Sequence, residues 1–189
     1  IYIGVDPAST VASRSDFSVI MVLGVTAEYD YYVIEYWRER VLPMECADKI
    51  FEILKRYIPV RRVNIETIAY QEMLRDYIQK RSKKEGIFVP GIEKGIKGYT
   101  QKKKDRLFEG LQPMFKAGAV HLKTLHHEFI GELLDFPKGS HDDTIDAFWL
   151  ATQYARGNPK AGNKKKEKQR DGSYKGARKM YDWISGKRV

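Results

Sequence analysis

Apolar positions in the first forty residues fall in short runs, the pattern of strands rather than of helices. Ile1-Tyr2-Ile3-Gly4-Val5 is one such run. It stops at Asp6-Pro7, because proline removes a ladder donor. Residues 17–25 and 31–38 are β-branched or aromatic runs, and Thr26-Ala27-Glu28-Tyr29-Asp30 between them predicts a hairpin. The period then changes. Pro43 opens a segment in which Ala47, Ile50, Phe51, Leu54 and Ile58 recur at three- and four-residue steps, predicting a helix over 43–57. Further on, the pattern predicts a strand over 60–66, a helix over 70–82, a short strand over 87–92 and a helix from an N-cap at Thr100 to residue 117. A strand over 120–122 and a helix with Leu125, Phe129, Leu133 and Leu134 on one face follow, then a last helix over 141–155 capped by Ser140. Strand, hairpin and then alternating strands and helices imply the α/β class, a mixed sheet with helices on both faces.

Composition adds a boundary to this picture. The 189 residues are 42% hydrophobic and 31% charged, the balance of a chain that folds into one domain of ordinary size. From Gly157 onward glycine, asparagine and lysine dominate, and Lys164-Lys165-Lys166 is a low-complexity run. The expected division is a folded domain over 1–156 and a flexible basic tail over 157–189. The formal net charge of +9 favours contact with a polyanion. It is unevenly placed: 11 Lys and Arg against 3 acids lie in the tail, leaving 23 against 22 in the rest. The single cysteine, Cys46, makes no intrachain disulfide and is expected to be a small core residue. No apolar run approaches the roughly 20 residues of a membrane span and no signal peptide is visible, so a soluble intracellular protein is expected. Because Ile1 already lies in a strand pattern and is not Met, the expectation is a domain of a longer protein.

Acidic residues stand at the ends of the predicted elements. Asp6 follows the first strand, Glu66 ends a later one, and Asp142, Asp143 and Asp146 crowd the start of the last helix. Singly, each has a structural explanation in turn chemistry, ion pairing or the helix dipole. Together they form the oxygen-rich set that a hard divalent cation takes. Asp142 and Asp143 diverge by about 100° around a helix, whereas Asp143 and Asp146 share a face. Two groups of basic residues accompany them: Arg75, Lys80, Arg81, Lys83 and Lys84 on one helix, then Lys94, Lys97, Lys102, Lys103, Lys104 and Arg106. Any single lysine there fits a solvated face; the local excess of positive charge favours a phosphate track. Gly157-x-x-x-x-Gly162 is followed by Asn163 rather than Lys, so the chain has no Walker motif.

Gly4-Val5-Asp6-Pro7, Val63-Asn64-Ile65-Glu66-Thr67 and Ser140-His141-Asp142-Asp143-Thr144-Ile145-Asp146-Ala147, in that order, resemble the three acidic motifs of the nuclease domain of tailed-bacteriophage large terminases. The segment from Lys103 to Val120 resembles the stretch these proteins carry before the third motif. The resemblance spans residues 1–155. It implies an RNase H-like fold with a central five-stranded mixed sheet flanked by helices. It further implies an endonuclease that cuts concatemeric viral DNA by two-metal phosphodiester hydrolysis with Mg²⁺ or Mn²⁺. Carried over by position, Asp6, Glu66 and Asp143 are the core catalytic ligands, Asp142 is an additional ligand, and Asp146 is a ligand or a neighbour that orients one. His141 is expected to be a solvent-facing cap residue. The implied partners are double-stranded viral DNA, an ATPase domain, the portal and the small terminase subunit, with no membrane, in the host cytoplasm. Two other readings stay open: a junction-resolvase or transposase-type nuclease on the same fold, and a non-catalytic DNA- or portal-binding module.

Overall fold

The computed structural model describes residues 1–8, 17–67, 69–93, 96–97 and 103–155, without the side chains of 66–71, 96–97 and 106. The predicted tail over 157–189, Lys94, Lys102 and the proposed cap Thr100 lie outside this set. Three strands open the chain: β1 (Tyr2–Asp6), β2 (Ser18–Val25) and β3 (Tyr31–Glu39). Helix α1 (Pro43–Arg56) and strand β4 (Arg62–Thr67) follow, then α2 (Ala69–Glu85), β5 (Ile96–Lys97) and α3 (Lys103–Lys116). The chain continues through β6 (Val120–His121), α4 (His127–Asp135) and α5 (Asp143–Thr152).

The sheet order is β5-β4-β1-β2-β3-β6. β1, β2 and β3 are antiparallel neighbours, and β4 and β5 run parallel to β1 on its other side. This is the expected five-stranded mixed sheet. The two residues of β6, parallel to β3, extend it at one edge. The hairpin turn forms where its sequence predicts: Asp30 N–H donates to the Thr26 hydroxyl at 3.2 Å, and Tyr29 takes a left-handed φ of 64°.

Strand alternation sorts the core into two layers. Ile3 and Val5, Ile20 and Val22, and Val63 and Ile65 face α1 and α2, packing on Ile50, Phe51, Leu74 and Ile78. Val19, Met21 and Leu23 face the other way, onto α3, α4 and α5. Cys46 is a core residue of the first layer, as expected; burial, with a contribution from the charge of Asp6, pushes its thiol pKa up to about 12.

Two local expectations are corrected. Residues 87–92 form no strand; Val89 and Ile92 are buried, but Pro90 has no N–H for a ladder, and only its carbonyl pairs with β4, accepting Val63 N–H at 2.8 Å. Ser140 does not cap the last helix, which starts at Asp143 with Asp142 in the cap position. The N–H that such a cap leaves open, at Thr144, is taken instead by the carboxylate of Glu132 at 2.8 Å.

α5 lies directly on β1. A Cβ at Gly4 would stand 1.9 Å from the carbonyl oxygen of Ala147 and 2.5 Å from the amide nitrogen of Ala151, both backbone atoms. Glycine is thus required by the close approach of a helix to a strand. Asn64 of β4 fixes the same helix, its buried amide donating to the Leu150 carbonyl at 2.9 Å. Gly4→Ala should therefore cost about 3 kcal/mol, the upper end for overpacking, because no flexible side chain can yield. Gly131→Ala, inside α4 with nothing within 4 Å of the new methyl, should be neutral or stabilising by about 0.5–1 kcal/mol. Urea unfolding of the two variants beside the parent protein checks both.

Candidate active site

The C-terminal ends of β1 and β4 are brought together by parallel pairing. Tyr2 pairs with Arg62, Ile3 with Val63, Gly4 with Asn64 and Val5 with Ile65. One step further in this register sets Asp6 beside Glu66. Gly4 and Asn64, on the alternate positions, meet α5. Asp143 precedes Ala147 by about one turn, so the approach of Ala147 to Gly4 carries Asp143 toward the strand ends. The chain entering β2 confirms the location: Phe17 N–H donates to Asp143 Oδ2 at 3.2 Å, and Val19 pairs with Asp6 across the β1–β2 ladder. Three carboxylate-bearing positions from three separate elements thus gather at one end of the sheet.

The remaining acids of the motif are engaged by a cation. Lys103, at the start of α3, places its ammonium 2.7 Å from Asp142 Oδ1 and in contact with Asp146 Oδ2. Burial works to lower the pKa of this ammonium, but Asp146 and Asp142 outweigh it and hold the group above the ordinary lysine value. Asp142 and Asp146, four apart, therefore share one side of the helix around Lys103, while Asp143 turns toward Phe17. Among the described residues no group of three or more His, Cys, Asp or Glu is arranged to hold a metal ion; that set does not include the Glu66 side chain. The donor chemistry nevertheless suits a hard cation: carboxylates only, with no soft ligand among them.

His141 is not the solvent-facing residue expected. Its ring meets Phe17 edge-on at 5.2 Å and its Nδ1 lies 3.6 Å from Asp143 Oδ2, half-buried because the α5 start folds against the β2 entrance.

The basic residues separate into two places. Arg75 donates to the carbonyls of Ile92, at 3.1 Å, and Glu93, at 2.7 Å, holding the segment after α2. Arg81 pairs with Asp48 and with Glu85. Lys80, Lys83 and Lys84 are exposed, but α2 leaves the site at Ala69, so they lie roughly 16–23 Å along its axis. Lys103 and Lys104 sit at the site end; Arg106 is in α3, with its side chain outside the described set. The structure adds a pair that periodicity did not single out. Arg38 and Arg40 stack over the ring of Phe17, 3.4 and 3.7 Å from its centre, beside Asp143. The signal in the sequence was faint, an alternating Arg38-Glu39-Arg40 at a strand end.

The family described as terminase RNase H-like domain matches residues 3–154. No curated protein shows a significant match. No helix among the described residues is long and apolar enough to cross a membrane.

The Lys103 contacts tie α3 to α5. Lys103→Met should cost about 1–2 kcal/mol of unfolding free energy at low ionic strength, and measurably less in 1 M NaCl, where screening already weakens the pair. Denaturant titrations at the two salt concentrations measure the difference.

Proposed function

We propose, from the premise that this chain belongs to the terminase RNase H-like domain family, that it is the metal-dependent nuclease unit of a viral DNA-packaging motor. That family membership makes it a nuclease domain of a DNA-packaging terminase; the ion, the ligands and the course of cleavage are the proposal. The supporting observation is the convergence of Asp6, the Glu66 position and Asp143 at the C-terminal ends of neighbouring parallel strands.

Asp6, Glu66 and Asp143 would hold Mg²⁺ or Mn²⁺, with Asp142 and Asp146, which share the ammonium of Lys103, as supplementary carboxylates. Bound there, a pair of such ions would activate water for in-line attack on phosphorus and stabilise charge on the departing 3′ oxygen. The protein's own share is placement. Phe17 N–H fixes one oxygen of Asp143, the α5 contact with Gly4 fixes its height above the sheet, and Arg40, Lys103 and Lys104 offer positive charge beside it. Phosphate contacts of this kind position a duplex without reading its sequence. Arg75, Arg81 and Lys103, engaged within the fold, contribute less to DNA binding on this reading than Lys104 and Arg106 of α3. The ATPase domain, portal and small subunit remain the proposed partners, and the basic segment over 157–189 a proposed auxiliary contact to DNA or portal.

Supercoiled plasmid incubated with the protein should be nicked and linearised with Mn²⁺ or Mg²⁺ and left intact in EDTA. Asp6→Asn and Asp143→Asn should reduce cleavage to the EDTA level; equal cleavage by parent and variants would overturn the assignment. Preference for four-way junctions over linear duplex in the same assay would favour the resolvase reading instead. Removing residues 157–189 should weaken duplex binding at low salt and leave metal-dependent nicking in place, measured by fluorescence anisotropy and gel assay on one preparation.

A further inference from the structure

The start of α5 is held by a carboxylate that belongs to none of the acidic motifs. Glu132, in α4, accepts the backbone N–H of Thr144 at 2.8 Å and the Thr144 hydroxyl through the same oxygen, Oε2. Its other oxygen lies 3.2 Å from Nη2 of Arg38 in β3. The side chain of Glu132 is only 8% exposed and that of Arg38 16%. A carboxylate so deeply placed is costly unless its charge and its lone pairs are met. Arg38 meets the charge across its ion pair with Oε1 and Thr144 fills the lone pairs of Oε2, while Oε1 itself accepts no hydrogen bond, so three elements converge on one residue.

The network closes on Asp143. The N–H that Glu132 binds belongs to the peptide joining Asp143 to Thr144, and a peptide is planar and stiff, so fixing it limits the backbone that carries Asp143. Arg38 meanwhile stacks 3.4 Å from the centre of the Phe17 ring, and Phe17 N–H donates to Asp143 Oδ2 at 3.2 Å. One chain of contacts thus runs from Glu132 to the Asp143 backbone, and another from Glu132 through Arg38 and Phe17 to its carboxylate.

We infer that Glu132, backed by Arg38, is a positioning residue for Asp143: by taking both donors of Thr144 it sets where the Asp143 carboxylate is presented to a divalent cation. The inference rests on the reading of Asp143 as a metal ligand. Groups that orient a ligand without touching the ion typically govern metal affinity 10- to 100-fold. A purely structural role is the competing account, since any anion at a helix N-terminus stabilises the helix.

Calorimetric titration of Mn²⁺ into the full chain separates the two, with metal-free urea midpoints recorded on the same preparations. Asp143→Asn should lose Mn²⁺ binding. Glu132→Gln and Thr144→Val should bind Mn²⁺ about 10-fold more weakly or worse. Thr144→Ser, which keeps both donors, should match the parent protein. If Glu132→Gln does not fold, the Val and Ser variants at position 144 decide the matter. Parent-like Mn²⁺ affinity in Thr144→Val or folded Glu132→Gln, with binding still abolished in Asp143→Asn, would reduce Glu132 to a helix cap and overturn the inference. Undiminished Mn²⁺ binding in Asp143→Asn, or none in the parent, would instead overturn the ligand assignment itself and the inference with it.

Discussion

The contact of α5 with β1 at Gly4 is the constraint on which the site depends. A helix and a strand ordinarily keep side chains between their backbones. Here the missing Cβ lets the Ala147 carbonyl occupy the space above the strand. All ten residues of α5 are buried, so the helix is gripped on every side and its first turn has little freedom to drift from the strand ends. Asn64 adds a directional tie from the neighbouring strand. The result is a rigid support that places an acidic helix start over the ends of β1 and β4.

Such a site faces an electrostatic difficulty that the rest of the domain is arranged to offset. Five carboxylates lie in the three motifs, and like charges in a partly buried region repel strongly. The positive end of α5 favours acids in its first turn. Lys103 pairs with two of them and offsets one unit of their charge, and Arg38 and Arg40 stack against Phe17 within the same region. A bound cation would complete that balance. Along the sequence the charge is nearly even over residues 1–156 and strongly positive over 157–189.

Most elements were legible because the signals are local. The β-branched and aromatic runs over 17–25 and 31–38 and the three- and four-residue steps of 43–57 reflect what each element buries in the core, and β2, β3 and α1 formed within one or two residues of those bounds. The segment over 87–92 misled because its apolar residues are buried without being paired, and Pro90 could not complete a ladder. Ser140 misled because capping spacing is a property of neighbours in sequence, whereas Glu132 reaches the helix from another element. The α2 basic face read as a track from charge alone; the fold turned Arg75 and Arg81 toward internal partners and carried Lys80, Lys83 and Lys84 away from the strand ends.

By itself the sequence determined the α/β class, most of its strands and helices, and the acidic positions at their ends, because periodicity and strand termination are properties of adjacent residues. Only the tertiary structure decided that Asp143 would turn to Phe17 while Asp142 and Asp146 took Lys103, and that Glu132 and Arg38 would brace the helix from behind. Those pairings join residues far apart in the chain. They exist because Gly4 lets α5 settle onto the sheet, and the burial that follows obliges each charge it encloses to find a partner.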